Sequence, residues 1–202
     1  MSTLNYLKQK FRLSYDTPQP IVLRGVGRHS QIKELFSELG YLKGAEIGTK
    51  DGNYAKELCL ALPQLKLYCI DPWQTYSDYK ETWSQDQNLM DTVFEKAKQR
   101  LSKFNCEIIR KKSHEAVKSF TANSLDFVFI DANHEYDFVL EDITLWTNIV
   151  RTNGIIFGHD YTTDHPGVIQ AVQDYVNQNK INPWFILRAG GNNVDCWMFV
   201  KN

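Results

Sequence analysis

Short apolar runs alternate with longer amphipathic segments between about residues 29 and 180. The apolar runs have the length of strands and lie at residues 42–48, 65–71, 106–110, 125–131 and 154–160. Helical patterns lie near residues 51–61, 88–103, 113–119, 135–150 and 165–179. Because strands that alternate with helices usually pair side by side in the same direction, the pattern predicts a parallel sheet that is covered by helices.

The last part of the chain breaks this alternation. Two apolar segments, "WFILRA" and "VDCWMFVK", flank the turn-prone "GGNN" at residues 190–193, which is typical of a β-hairpin. Five strand–helix units and a terminal hairpin predict a mostly parallel, seven-stranded sheet with an antiparallel hairpin at its end. We expect one domain over residues 1–202, in which residues 1–40 form a helical N-terminal cap.

Composition narrows the class of protein. The 202 residues carry a formal net charge of −1 with a pI near 6.5, which predicts neither a nucleic-acid partner nor a membrane partner. The N-terminal segment lacks the apolar core of a signal peptide, and no apolar run approaches the ~20 residues that span a bilayer. We therefore expect a cytoplasmic protein, and the four widely spaced cysteines are expected to be reduced core thiols.

The first predicted strand of the sheet ends in "EIGTKDG", residues 46–52. In an open parallel sheet, ligands bind beyond the carboxyl ends of the strands. Gly48 allows a tight turn close to a ligand, but an ordinary structural turn explains it equally well, because Lys50 replaces the middle glycine of a dinucleotide fingerprint. Glu46 is unusual inside a central strand. A buried acid needs a partner, and the ammonium group of an amino-acid ligand would supply one.

The second predicted strand ends in Asp71, whose carboxylate can accept hydrogen bonds from both hydroxyls of a ribose. Pro72 and Trp73 follow directly and are candidates for the wall of an adenine site, with ordinary loop packing as the alternative for Trp73. Ser113, after the third strand, is a candidate to hydrogen-bond the edge of the adenine. These residues together predict a nucleoside cofactor.

The next two strands also end in polar residues. "FVFIDANHEY" reaches Asp131 at the end of the fourth strand, and His134 follows at the start of a predicted helix. "GIIFGHD" places His159 and Asp160 at the end of the fifth strand. Strand ends are rigid supports, so this pattern indicates a second chemical centre beside the nucleoside site.

The motifs together resemble the class I S-adenosylmethionine-dependent methyltransferases over roughly residues 40–200. "GAEIGTKDG" is similar to the first motif of that family and "LYCIDPW" to its ribose-binding acid, while "NSLDFVFIDANHEYDFVLEDITLW" and "NGIIFGHDY" are similar to its fourth and fifth motifs. Within the class, the chain resembles metal-dependent O-methyltransferases of the macrocin and mycinamicin type, which modify sugar hydroxyls. The resemblance implies a Rossmann-like, doubly wound α/β fold with strand order 3-2-1-4-5-7-6.

The resemblance also implies roles for the acids and histidines. The strand order makes the tips that carry Asp131 and Asp160 neighbours, so a divalent metal, Mg²⁺ or Mn²⁺, would bind Asp131 and Asp160 and make an acceptor hydroxyl more acidic. His159 is a further candidate ligand, although it departs from the family, which typically has an acid at this position. His134 would be the general base, because the N-terminal end of a helix disfavours the imidazolium.

Alternatives remain for each of these residues. The alternative to metal binding is that Asp131 orients loop amides or the methionine part of the cofactor. The alternative to a general base is that His134 caps a helix. His159 instead has a structural role, because magnesium strongly prefers oxygen ligands. Arg24 and Arg28 are either clamps for a carboxylate or solvated surface residues.

We therefore expect an S-adenosylmethionine-dependent O-methyltransferase that acts on a sugar or small-molecule hydroxyl with the help of a divalent metal. A nicotinamide-dependent oxidoreductase is one alternative, although the incomplete glycine pattern and the terminal hairpin disfavour it, and a non-catalytic cofactor-binding domain is another. The polar and aromatic segment 72–88, with Trp73, Tyr76, Tyr79 and Trp83, is either a lid over the acceptor or an interface in a homo-oligomer. Variable loops build acceptor pockets, so the sequence does not predict which acceptor is used.

Overall fold

A single eight-stranded sheet forms the centre of the protein. The computed structural model describes residues 1–14, 19–75, 86–191 and 193–202. The strands are β1 (Ile21–Arg24), β2 (Lys43–Ile47), β3 (Lys66–Ile70), β4 (Cys106–Ile109), β5 (Leu125–Ile130), β6 (Val150–Gly158), β7 (Trp184–Arg188) and β8 (Cys196–Val200). The α-helices are α1 (Thr3–Lys10), α2 (Gln31–Glu38), α3 (Asn53–Ala61), α4 (Gln87–Leu101), α5 (Ser113–Ala116), α6 (Tyr136–Ile149) and α7 (Pro166–Gln178).

The strands lie in the order β1-β7-β8-β6-β5-β2-β3-β4. Strand β8 runs antiparallel to both of its neighbours, and the other pairs are parallel. The predicted Rossmann-like α/β fold with its terminal hairpin is confirmed, and the seven expected strands have the expected relative order.

The strand count was wrong by one. Strand β1 pairs in parallel with β7 at the outer edge of the sheet, so residues 1–40 contain a strand as well as α1 and α2 and are not purely helical. The strand is only four residues long, and its side chains alternate between buried Ile21 and Leu23 and exposed Val22 and Arg24. An alternation of only four residues is too short to predict a strand from sequence. The strand is stabilised by its pairing with β7.

Two hydrophobic layers cover the two faces of the sheet. Helices α1 to α4 contribute to one layer, for example through Leu7, Phe36, Leu58 and Leu101. Helices α5 to α7 contribute to the other, for example through Ala116, Ile143, Trp146 and Val172. Alternate residues of β5 enter the two layers, which is typical of a strand buried on both faces. The sheet is therefore a rigid support for the side chains at its carboxyl edge.

In the described part of the chain, no helix has both the length and the apolar character that a membrane crossing would require.

Candidate active site

A cavity of about 620 Å³ opens at the carboxyl edge of the parallel strands. This volume lies in the range of small-molecule and cofactor sites, and the position is where open α/β sheets bind ligands. The strand ends contribute Glu46, Gly48, Asp71, Asp131, His159 and Asp160 to its wall. The sheet therefore brings together the polar residues that the sequence placed at separate strand tips.

Gly48 is required by the close approach of two strand ends. Its φ of +90° lies in the region that favours glycine, and an added Cβ would lie 2.1 Å from the carbonyl oxygen of Asp131. The amide of Gly48 also donates to the carbonyl of Ile70, at 2.9 Å. The turn after β2 is thus packed directly against the tips of β3 and β5, and no side chain fits there.

Glu46 is a buried acid on the central strand β2. Glu46 is only 2% exposed, yet it is one of the residues that line the cavity. Its Oε2 atom has no hydrogen-bond partner among the described residues, and burial raises the pKa of Glu46 well above its ordinary value. A buried carboxyl oxygen without a partner is costly, so its position facing the cavity indicates a hydrogen-bond donor or cation from a ligand.

Asp71 is held in place by two backbone amides. Its Oδ1 accepts from the amide of Trp73 at 2.8 Å, and its Oδ2 accepts from the amide of Lys50 at 2.9 Å. Burial raises the pKa of Asp71, and these two hydrogen bonds oppose the rise. Each carboxyl oxygen can accept a second hydrogen bond, so the predicted contact with a ribose diol fits this geometry.

Trp73 is placed differently from the adenine wall that the sequence suggested. Its residue is 1% exposed, its indole nitrogen donates to the carbonyl of Lys50 at 2.7 Å, and its ring packs on Phe94 with centroids 4.9 Å apart. Its backbone φ of 43° lies in the left-handed region, and Trp73 is not among the residues that line the cavity. Trp73 therefore packs within its loop, which was the alternative to an adenine wall. Pro72, the other candidate for that wall, does line the cavity.

Ser113 and Asp142 form a polar pair on the wall of the cavity below β4. The Ser113 hydroxyl accepts from the indole nitrogen of Trp146 at 2.7 Å. Asp142, on α6, is 5% exposed; burial raises its pKa to about 7, and a hydrogen bond from Ser113 opposes the rise. Asp142 was not predicted from the sequence, although an acid on the apolar face of the helix "FVLEDITLW" was a signal for it.

Asp160 lies between two imidazoles. Its Oδ2 is 2.9 Å from Nε2 of His134, and its Oδ1 is 3.0 Å from Nδ1 of His159. Burial disfavours the charge of this carboxylate, but the hydrogen bonds from His134 and His159 hold the pKa of Asp160 well below its ordinary value. A charged acid is thus available to orient His134 and to stabilise its protonated form.

His165 completes this part of the site and was missed by the sequence analysis. It precedes α7, and its ring centroid lies 4.0 Å from that of His134. One ligand atom from each of His134, Asp160 and His165 lies within 4.8 Å of the others. Nothing in the local sequence "TTDHPG" indicates this contact, which depends on how α7 packs against α6.

Arg28 enters the site from the N-terminal segment, whereas Arg24 lies exposed on β1. The Arg28 guanidinium is 2.7 Å from Oδ2 of Asp131, and it lies over the rings of Tyr54 and Phe129 at 5.2 and 5.7 Å. Arg28 is therefore not a solvated surface residue, and its predicted role as a clamp for a carboxylate stays a prediction. Its charge compensates Asp131 at the point where the cavity also contains Glu46.

The donor set for a metal is present, and its atoms are already paired. Ligand atoms of Asp131, His159 and Asp160 lie within 4.8 Å of one another. Asp131 is bound to Arg28, and both oxygens of Asp160 contact imidazoles, so the two carboxylates do not need a metal ion to relieve their repulsion. An imidazole among the donors suits manganese, iron or zinc better than magnesium. The residues fit a transition metal, provided that Asp131 exchanges Arg28 for it.

The aromatic residues Tyr76, Tyr79 and Trp83 lie outside the described residues, so the prediction of a lid or an interface stays a prediction.

Comparison with known proteins assigns the chain a family relationship. Residues 45–161 match a family described as a methyltransferase domain. No curated protein sequence matches the chain.

Solved structures show the same fold at low sequence identity. An O-methyltransferase from Bacillus cereus, in complex with SAH, is 14% identical with a TM-score of 0.61, over 98% of this chain and 90% of that one. The O-methyltransferase TomG from Streptomyces achromogenes, involved in tomaymycin synthesis and solved with SAM, is 17% identical with a TM-score of 0.60, over 99% and 90%. The O-methyltransferase NovP is 14% identical with a TM-score of 0.63, over 85% and 77%. At these identities, the likeness concerns the fold alone.

Proposed function

Because the chain belongs to the methyltransferase domain family that residues 45–161 match, we propose that it transfers the methyl group of S-adenosylmethionine to a hydroxyl oxygen of a small molecule or sugar. The observation that carries this proposal is the unpartnered, buried Oε2 of Glu46, a residue that lines the cavity together with Gly48 at the end of the same strand and Asp71 at the end of the next. This arrangement suits a ligand that has an ammonium group at one end and a ribose farther along.

Glu46 on β2 and Arg28, which contacts Asp131 after β5, would hold the methionine end of the cofactor in this proposal. Its ammonium group binds Glu46, whose pKa falls as the positive charge arrives. Arg28 lies at the same end and binds the carboxylate of the cofactor, because the guanidinium matches a carboxylate in geometry and charge. Asp71 accepts hydrogen bonds from the ribose hydroxyls. This would leave the tips of β5 and β6, with Asp131, His159 and Asp160, for the acceptor.

His134 is the group that receives the proton of the acceptor. S-adenosylmethionine would supply the methyl group: the acceptor oxygen would attack the methyl carbon, and the carbon–sulfur bond would break with its electron pair on sulfur, which would leave S-adenosylhomocysteine. When Nε2–H of His134 is donated to Asp160, Nδ1 is the accepting nitrogen of the neutral ring. The charged Asp160 stabilises the imidazolium that forms, and in this way it acts as a positioning residue.

Asp131, His159 and Asp160 would hold a divalent transition metal at the same end of the cavity. Such an ion would supply a Lewis acid that lowers the pKa of the acceptor hydroxyl. In a site that works without metal, Asp131 instead keeps its ion pair with Arg28 and places that guanidinium towards the cofactor.

The proposal is tested first by ligand binding, with S-adenosylhomocysteine as the probe. Ligand at 100 times its dissociation constant stabilises the folded state by about 2.7 kcal/mol, so the melting temperature of the protein should rise measurably. Asp71→Ala should remove most of this rise without unfolding the protein. Asp137→Ala is the matched control, because Asp137 is an exposed acid that does not line the cavity.

The second test follows transfer of a labelled methyl group from S-adenosylmethionine to a panel of hydroxylated sugars, catechols and other small molecules. Oxygen-bound label in a product supports the proposal. A protein that is stabilised by a nicotinamide dinucleotide, but not by S-adenosylhomocysteine, contradicts it.

A further inference from the structure

Three of the four cysteines lie far apart in the sequence but meet on one side of the sheet, beside β4. The sulfur atoms of Cys59, on α3, and Cys106, at the start of β4, are 3.4 Å apart, and all four thiols are free. Cys69, on β3, also hydrogen-bonds to Cys106. The three residues pack in the layer to which helices α1 to α4 contribute. The fold therefore assembles a thiol cluster that the sequence spacing did not indicate.

Cys106 differs from the other cysteines in its exposure to solvent. It is half-buried, whereas Cys59, Cys69 and Cys196 are buried. Strand β4 is the outermost strand at its end of the sheet, and Cys106 is the first residue of that strand. A small oxidant in solution can therefore reach Cys106 more easily than it can reach the other three.

The surroundings of Cys106 favour the thiolate, which is the form that reacts with oxidants. Hydrogen bonds from the thiols of Cys59 and Cys69 lower the pKa of Cys106, burial opposes this effect, and the charge of Lys66 lowers the pKa further. The hydrogen bond to Cys106 raises the pKa of Cys59, and burial adds to the rise. Cys106 thus carries the charge of the pair, and Cys59 keeps its proton.

We propose that Cys106 is an oxidation site for peroxides, at which a disulfide with Cys59 forms. In the first step the Cys106 thiolate attacks one oxygen of hydrogen peroxide, the oxygen–oxygen bond breaks, and the leaving hydroxide takes a proton from solvent to become water. In the second step the sulfur of Cys59 attacks the sulfur of the resulting sulfenic acid, the sulfur–oxygen bond breaks, and hydroxide leaves with the proton of Cys59 as a second water. The two sulfurs lose two electrons in all, and the peroxide gains them.

Geometry selects Cys59 rather than Cys69 as the partner of Cys106. Disulfide sulfurs are about 2.05 Å apart, so the sulfurs of Cys59 and Cys106 need to approach by only ~1.4 Å. Cys106 pairs with Leu67 on β3, two positions before Cys69. With strands about 4.8 Å apart and a rise of about 3.3 Å per residue, this offset separates the Cα atoms of Cys69 and Cys106 by about 8 Å. That distance exceeds the ~7 Å that a disulfide spans without movement of the backbone.

The experiment treats the reduced full chain with hydrogen peroxide and maps its thiols. After brief exposure to a small excess of hydrogen peroxide, an alkylating reagent blocks the free thiols, and the chain is digested without reduction and analysed by mass spectrometry. The peptides that contain Cys59 and Cys106 should be joined by a disulfide, and the free thiols per chain should fall from four to two. Dithiothreitol should restore all four.

Three serine variants separate the roles of the cysteines. Cys106→Ser should keep its remaining thiols free under the same treatment. Cys59→Ser should stop at the sulfenic acid, which dimedone traps on Cys106. Cys69→Ser is the matched control, because Cys69 contacts Cys106 but is too far along the neighbouring strand to bridge to it, and this variant should form the same disulfide as wild type.

The mapping of wild type decides the proposal even if a variant folds poorly. Four free thiols after treatment overturn the proposal. A bridge from Cys69 to Cys106 overturns the assignment of Cys59, and oxidation that falls equally on the buried Cys196 overturns the assignment of Cys106. The measurement involves neither S-adenosylhomocysteine nor methyl transfer, so its outcome is independent of the proposed function.

Discussion

Asp160 shows how a single residue organises the reactive end of the site. One carboxylate contacts both His134 and His159, at 2.9 and 3.0 Å, and its φ of 56° places it in a conformation that few residues other than glycine adopt. Asp and Asn are among the side chains that tolerate this region best. This backbone conformation is unfavourable, and it places the carboxylate of Asp160 between two imidazoles. Unfavourable backbone conformations of this kind are common at active sites.

The role of His134 is tested by a single substitution. His134→Ala should lower turnover by about 100- to 10,000-fold, because a positioned general base contributes that much to proton transfer. The affinity for S-adenosylhomocysteine should change little, since the proposed contacts with the cofactor are made by Glu46, Arg28 and Asp71, whereas His134 pairs with Asp160. Steady-state kinetics and calorimetry measure the two effects separately.

His29→Ala is the control for this substitution, because His29 is exposed and pairs with Glu57 at 3.0 Å. It should leave turnover unchanged. Near-normal turnover in His134→Ala would mean that His134 is a structural residue at the start of α6 and that another group takes the proton.

Metal dependence is a second prediction at the residue scale. A strong chelator should suppress turnover and leave S-adenosylhomocysteine binding intact, because in the proposed function a metal on Asp131, His159 and Asp160 would bind the acceptor and not the cofactor. Asp160→Ala should have the same effect as chelation, and added manganese should restore activity to chelated wild type but not to the variant. Full activity in exhaustively chelated buffer would show that the acids act only through Arg28 and the imidazoles.

At the scale of elements, the turn between β2 and α3 determines how closely a ligand can approach the sheet. Both Gly48 and Gly52 have positive φ, and Gly52 is the residue that precedes α3. Glycine adopts this conformation at little cost, and the residues from Ile47 to Asp51 that it allows to turn all line the cavity beside Glu46.

Gly48→Ala tests this turn. The new Cβ would lie 2.1 Å from the carbonyl oxygen of Asp131, so we expect a loss of about 2 to 5 kcal/mol in the free energy of unfolding, from strained φ and overpacking together. Denaturant titration measures it. The variant should also bind S-adenosylhomocysteine less tightly, because the added methyl group forces the tips of β2 and β5 apart.

Gly40→Ala is the matched control. Gly40 has a similar positive φ of 65°, but nothing lies within 4 Å of an added Cβ. It should cost only ~1 to 2 kcal/mol, which isolates the conformational part of the effect. Equal losses in the two variants would show that the close approach to Asp131 is not important for stability.

At the scale of the whole molecule, the buried acid Asp142 links the fold to pH. The pKa of Asp142 is raised to about 7 in the folded protein, chiefly by burial, while Glu141 raises it further and Ser113 opposes the rise. An unfolded chain has a pKa near 3.9 for this group. Between these values the folded state holds a proton that the unfolded state has released, so stability falls as pH rises through this window.

The free energy of unfolding of ligand-free wild type should therefore fall, relative to Asp142→Asn, between about pH 4 and pH 7 and then level off. The fall should be on the order of a few kcal/mol, because one pKa unit corresponds to about 1.4 kcal/mol. Denaturant titrations at a series of pH values measure the difference between the two proteins. A difference that stays constant across the window would mean that Asp142 ionises in the folded state as easily as in the unfolded chain.

The sequence by itself determined the features that depend on neighbouring residues in the chain. Alternation of apolar runs and amphipathic segments was enough to predict the parallel sheet, the terminal hairpin and the strand ends that carry Glu46, Asp71, Asp131 and Asp160. The reason is that strand and helix periodicity is local, and the carboxyl ends of parallel strands always meet at one edge.

The tertiary structure alone decided which groups face one another across that edge. Arg28 contacts Asp131 over 103 positions of sequence, and His165 contacts His134 through the packing of two helices. Trp73 packs on Phe94 and bonds to the carbonyl of Lys50 instead of lining the cavity, and β1 pairs with β7, which lies more than 150 positions later in the chain. Such contacts depend on burial and on partners that are distant along the chain, and local pattern contains no information about either.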